Sequence, residues 1–113
     1  MTLKIYQSNL LDDFEAFLRR CAELRGPATA FTESTREHFG YALPYTPLTG
    51  ATYEPDAPYV CLRVPTGGGK TRLGLHAIQR FNRAFAEHTP SLTLWLVPSE
   101  PIREQTLRAL RTP

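Results

Sequence analysis

The sequence has little cysteine, no long apolar run and almost no net charge. Cys21 and Cys61 are too few and too far apart for a disulfide framework or a zinc knuckle, which favours a reducing compartment. No stretch approaches the roughly 20 apolar residues of a membrane-spanning helix, and residues 1–11 lack the unbroken apolar core of a signal peptide. A net charge of +2 is too small to indicate nucleic-acid binding. These absences predict a cytoplasmic protein and leave its ligands open.

What is present is an ordinary globular composition, with 113 residues of which 42% are hydrophobic and 21% charged. This length allows one small domain or part of a larger one. Apolar residues near the N-terminus recur at three- and four-residue intervals, which predicts an amphipathic helix from Ser8 to Leu24. Gly26-Pro27 is expected to stop this helix. The residues of its apolar face are Leu10, Leu11, Phe14, Phe17, Leu18, Cys21 and Leu24.

The middle of the chain, residues 26–58, is rich in proline and glycine. Four prolines and two glycines fall between Phe31 and Tyr59, a density that argues against a long helix. Only a short helix from Ser34 to Phe39 is predicted there, since Ser34 and Glu37 have capping-box spacing. We interpret residues 26–58 as a long loop or an insertion.

The last part of the chain, residues 59–113, has a regular order. Residues 59–64 and 92–97 are apolar runs that predict buried strands, and helices are predicted after the glycines at 67–69 and over residues 102–110. A strand, helix and second strand of these lengths favour a right-handed crossover between parallel strands. The predicted fold class is therefore α/β: an N-terminal helix, a long loop and a parallel β-α-β-α unit.

The segment Pro65-Thr66-Gly67-Gly68-Gly69-Lys70-Thr71 carries the chemistry, because it lies between a predicted strand and a predicted helix. Glycines allow successive backbone N–H groups to approach phosphate oxygens at the positive end of a helix. Lys70 would reach the β- and γ-phosphates of ATP, and the Thr71 hydroxyl would ligate Mg²⁺. The general Walker A pattern has a glycine where this chain has Val64, so a glycine-rich turn is the alternative.

These residues resemble motif I of the superfamily-two helicases and translocases. Residues 3–7 and the helix after them resemble the glutamine region of those proteins, and residues 95–106 resemble motif Ia. The three segments occur in the order of that family, and the resemblance is strongest to the Res subunit of type III restriction enzymes and its DEAD/DEAH-box relatives. It covers most of the chain except roughly residues 26–58, and it implies a partial RecA-like P-loop NTPase domain.

The resemblance also implies roles for individual residues. Gln7 would bind the adenine edge, and the phosphate-binding residues would be Thr66, Gly67, Gly68, Gly69, Lys70 and Thr71. Lys70 would be catalytic, and Ser99 and Arg103 would lie near the nucleic-acid backbone. The structural alternatives are that Gln7 is an exposed polar residue before the helix, that Ser99 caps the last helix and that Arg103 lies on a solvated helix face. Arg63, inside an otherwise apolar run, has no role in this scheme.

The resemblance implies a protein that uses ATP and Mg²⁺ to move along nucleic acid, expected to be double-stranded DNA. Its partners would be the remaining helicase lobes and a methyltransferase subunit. Hydrolysis in that superfamily uses an Asp-Glu pair on a later strand, and no such pair follows Trp95. We therefore expect a truncated ATP-binding portion that is inactive alone. The alternatives are a P-loop ATPase or kinase of another class and a non-enzymatic remnant.

Overall fold

The computed structural model describes residues 3–24, 26–49, 57–64, 69–86 and 92–111. Four helices lie within these ranges: α1 (Ile5–Leu24), α2 (Pro27–Phe39), α3 (Lys70–Ala84) and α4 (Glu100–Arg111). The N-terminal helix predicted over residues 8–24 is confirmed and begins three residues earlier. The helices predicted after the glycines and over residues 102–110 are confirmed as α3 and α4.

The α/β prediction is wrong for the described part of the chain, which is helical and contains no strand. A sheet requires a ladder of hydrogen bonds between strands, and residues 57–64 and 92–97 form none there. The prediction assumed that these apolar runs are covered on both faces. Instead, Leu92, Leu94 and Leu96 are between 80% and 101% exposed, while Trp95 and Val97 are half-buried. The runs lie on the helices as irregular segments with one face covered.

The prediction of only a short helix in the middle of the chain is also wrong, because α2 has 13 residues and begins at Pro27. Pro27 occupies the first turn of α2, where backbone N–H groups form no intrahelical hydrogen bond, so the lack of an N–H in proline costs nothing there. Its fixed φ also favours the helical conformation. The helix ends at Gly40, whose φ of 82° is left-handed and whose N–H binds the carbonyl of Arg36 at 2.9 Å. Pro27 thus starts α2 as well as ending the chain's first helical segment.

The core lies where α1 packs against both α2 and α3. Its buried members are Phe17, Leu18, Cys21, Ala30 and Ala84, with Phe14, Phe31, Val60, Phe81 and Phe85 packed around them. Burial raises the pKa of the Cys21 thiol to about 11, because an apolar environment disfavours the thiolate. Helix α1 is therefore the central element, and it carries residues of both the core and the candidate site.

Helix α4 contacts α3, and its buried residue is Thr106. From the sequence alone, the apolar residues Ile102, Leu107 and Leu110 predict the inward face of this helix. Ile102 is 42% exposed, whereas Leu107 and Leu110 are half-buried. The covered face of α4 is thus rotated from the predicted one, and it is only partly apolar.

Candidate functional site

The candidate site is built around the start of α3. Lys70 and Thr71 are the first two residues of this helix, and Gly69 precedes them as its N-cap. Gly69 has a φ of 73°, in the left-handed region that favours glycine. No side-chain cap is bonded to this helix end. The first backbone N–H groups of α3 therefore lie at the positive end of a helix, which is where anions commonly bind. Thr66, Gly67 and Gly68 lie outside the described residues.

Gln7 of α1 packs directly against Gly69. The Gln7 side chain is only 6% exposed, and a Cβ added to Gly69 would lie 2.8 Å from Gln7 Nε2. The other end of the same amide, Oε1, accepts a hydrogen bond from the backbone N–H of Lys4 at 2.9 Å. This bond is the side-chain half of a capping box at the start of α1. The alternative of an exposed Gln7 before the helix is therefore wrong.

The contact joins two of the three segments that carry the family resemblance. Position 69 favours glycine because of its positive φ, and a larger residue there would also make the Gln7 amide shift. A nucleotide bound at the start of α3 would thus lie beside Gln7. Recognition of adenine by Gln7 stays a prediction, and the Oε1 bond to Lys4 occupies part of the hydrogen-bonding capacity it would use.

A cavity of about 390 Å³ opens beside Lys70. Its charged lining residues are Arg63 and Lys70, and the rest of the lining is apolar or sulfur-containing: Leu10, Cys61, Leu62, Val64, Leu73 and Gly74. None of the described residues in this lining is a carboxylate. The cavity has the size of a small-molecule site and a positive electrostatic character, so it suits an anionic ligand with an apolar portion.

Gly74, on α3, was not identified from the sequence. A Cβ added to it would lie 2.7 Å from Cη2 of Trp95, so the indole ring lies flush against the helix backbone. A glycine inside a helix costs about 1 kcal/mol relative to alanine, and such a glycine commonly marks close approach by another group. A costly glycine inside a predicted helix was therefore the sequence signal that could have identified Gly74. Through this contact, the segment resembling motif Ia is held against the helix that starts at Lys70.

Ser99 and Arg103 lie at the start of α4. The carbonyl of Ser99 accepts a hydrogen bond from the N–H of Arg103 at 2.9 Å, as expected of the residue that precedes a helix. Arg103 Nη1 lies 3.3 Å from Glu100 Oε2 and 3.2 Å from Glu104 Oε1, with the side chain about half exposed. Its charge is thus balanced within α4, which favours the helix-surface alternative for this arginine.

Within the described ranges, no group of three or more His, Cys, Asp or Glu side chains is arranged to hold a metal ion. Any Mg²⁺ here would need ligands from a bound nucleotide together with few protein atoms, and the Thr71 hydroxyl is the available one at the helix start. In the same ranges, no helix is both long and apolar enough to cross a membrane.

Comparison with known proteins gives one family. The family model described as "Type III restriction enzyme, res subunit" matches residues 1–112 of the chain. The match includes the proline-rich middle, which the motif resemblance did not cover. No curated protein and no solved structure matches the chain.

Proposed function

Because the chain belongs to the family of type III restriction enzyme res subunits, a family of DEAD/DEAH-type helicase domains, we propose that it binds ATP with Mg²⁺ at the start of α3. Proteins of this family generally depend on ATP and Mg²⁺. The observation that carries the proposal is Gly69, which has a left-handed φ, packs closely against the Gln7 amide and directly precedes Lys70 and Thr71. A backbone of this kind allows phosphate oxygens to approach closely.

The residues present fit such a ligand. Gly69 with the preceding Thr66, Gly67 and Gly68 would surround the phosphates with backbone N–H groups. Lys70 would neutralise the β- and γ-phosphates, and the Thr71 hydroxyl would ligate Mg²⁺, which balances charge on the phosphate oxygens when bound. Gln7 would lie beside the bound nucleotide, next to Gly69, and the apolar wall of the cavity would cover the less polar part of the nucleotide.

The wider activity we propose is movement along duplex DNA driven by ATP hydrolysis. The family implies nucleic acid and partner subunits in general, and we propose that the partners are further helicase lobes and a methyltransferase subunit. We propose that the residues of this chain contribute ATP binding to that activity, whereas hydrolysis needs carboxylates that hold Mg²⁺ and orient water. No adjacent Asp-Glu pair follows Trp95 in the sequence.

Nucleic acid would contact the start of α4, where Ser99 and the first backbone N–H groups are exposed. Arg103 would take part by giving up its ion pairs with Glu100 and Glu104 and binding a phosphate instead. Such an exchange is favourable only when the incoming anion is more strongly held than two exposed carboxylates.

The test is ATP binding by the 113-residue chain and by Lys70→Ala, measured by titration calorimetry with Mg²⁺ at low salt. Loss of a charge-assisted contact to phosphate is expected to weaken binding by roughly tenfold or more. The control is Arg36→Ala, which removes one exposed positive charge from α2, away from the cavity. Equal ATP affinity in wild type and Lys70→Ala, or no ATP binding by either, would contradict the proposal.

A further inference from the structure

Arg63 is the charged residue in the apolar run from Tyr59 to Val64, and the proposed function gives it no role. Along this run the residues alternate between exposed and half-buried, and Arg63 lies on the exposed side with Tyr59 and Cys61. Its position is therefore compatible with a ligand-facing side chain, and core packing does not explain it.

The ionic surroundings of Arg63 differ from those of most arginines on the helices. Arg19, Arg20, Arg80, Arg83 and Arg103 all lie within ion-pair distance of a carboxylate. Arg63 forms no such pair with any of the residues that the structure describes, and neither does Lys70. Both cations line the same cavity, and no carboxylate stands among the described residues of its lining.

Two unpaired cations facing one cavity repel each other unless an anion lies between them. A guanidinium presents its N–H groups in a planar fork that matches two oxygens of one phosphate, whereas an ammonium acts as a point charge. The two side chains are therefore suited to different parts of one polyphosphate.

We propose that Arg63 is a second phosphate-binding cation of this site, which holds the polyphosphate tail of the nucleotide together with Lys70. The inference rests on the proposed function and adds a residue from outside the glycine segment. Arg63 then sets the preference of the site for nucleotides with more phosphates, because its contribution depends on ligand charge and not on the base.

The experiment compares Arg63→Gln, Arg63→Lys and the control Arg36→Gln, in which an exposed α2 arginine undergoes the same change of charge. The probes are ATP, adenosine and inorganic tripolyphosphate, each titrated with Mg²⁺ into the full 113-residue chain. For Arg63→Gln we expect roughly tenfold weaker binding of ATP and tripolyphosphate, with adenosine binding unchanged. Arg63→Lys is expected to lie between Arg63→Gln and wild type, since charge is kept but the planar fork is lost.

Several results would overturn the inference. If Arg63→Gln and Arg36→Gln bind ATP equally while Lys70→Ala binds it poorly, the proposed function survives and the role of Arg63 is wrong. If Arg63→Gln weakens the binding of adenosine as much as that of ATP, the effect does not come from the phosphates and the role given to Arg63 is wrong. If wild type binds neither ATP nor tripolyphosphate, both proposals fail together. Thermal unfolding of each variant checks the fold, and Arg63→Lys provides the same comparison should Arg63→Gln be unstable.

Discussion

At the scale of single residues, the pair Gly69 and Gln7 determines the geometry of the candidate site. The sequence predicted each as a member of a nucleotide site, Gly69 from its place in a glycine segment and Gln7 from a family resemblance. Their contact could not be predicted, because it depends on how α1 packs on α3, which local pattern does not encode. Arg63 was recognised only as unusual, since its meaning depends on the cavity it shares with Lys70.

Replacement of Gly69 by alanine is predicted to cost more than the same change at Gly40. Both residues have positive φ, so each substitution carries roughly 1–2 kcal/mol of left-handed strain. A Cβ at position 40 meets nothing within 4 Å, whereas at position 69 it meets Gln7 Nε2 at 2.8 Å. Urea unfolding should therefore show a larger loss for Gly69→Ala.

The same comparison has an internal control in Gln7→Ala. In that background the extra cost of Gly69→Ala over Gly40→Ala should disappear, since the clashing amide is gone. An equal cost of the two glycine substitutions in the wild-type background would show that Gln7 does not restrict Gly69.

At the scale of elements, α1, α3 and α4 were predictable, whereas the full length of α2 and the segments between the helices were not. Apolar spacing located α1, α3 and α4 because each has one covered face. The same apolar content in residues 92–97 was wrongly taken as a buried strand, because composition does not reveal that alternate leucines face solvent. Pro27 was read only as the end of a helix, although proline favours the first turn of the next one.

Helices α1 and α3 are joined by ion pairs as well as by apolar contacts. Glu15 of α1 contacts Arg83 and, at 3.1 Å, Arg80 of α3, and it also binds Arg19 at 2.7 Å. Arg80 additionally lies 2.8 Å from Asp12. The hydrogen bond from Arg83 is the main reason that the pKa of Glu15 is lowered from 4.5 to about 2, and Arg19 and Arg80 lower it further.

Because the pKa of Glu15 is lower in the folded chain, its contribution to stability is fully present above about pH 4.5 and is lost as the pH falls towards about 2. Glu15→Gln should remove roughly 1 kcal/mol from the free energy of unfolding near neutral pH, a small value because the partners are partly exposed. The control is Glu23→Gln, an exposed change on the same helix. Denaturant unfolding across this pH range would contradict the account if the Glu15 and Glu23 variants followed the same curve.

At the scale of the whole molecule, three leucines of one segment are left uncovered. Leu92, Leu94 and Leu96 are 101%, 81% and 80% exposed, whereas Trp95 between the last two lies against Gly74 of α3. Clustered apolar surface of this kind favours association between molecules. The paired substitution Leu94→Lys and Leu96→Lys is predicted to lower concentration-dependent association in sedimentation experiments without changing the melting temperature by more than a few degrees.

The control for that experiment is Leu18→Lys, which places a charge in the core, where Leu18 is 1% exposed, and should unfold the chain. Unchanged association after both surface substitutions would show that the exposed leucines do not drive it. Melting that collapses in the surface variant would show that Leu94 and Leu96 are covered in solution.

The central claim is that the backbone at the start of α3 binds the phosphates of ATP. The most direct measurement is the change in amide chemical shifts of Gly69, Lys70 and Thr71 when the chain is titrated with ATP and Mg²⁺, compared with adenosine. We predict large, saturable shifts at these three amides with ATP and much smaller ones with adenosine. Shifts that are absent with ATP, or equal for the two ligands, would contradict the claim.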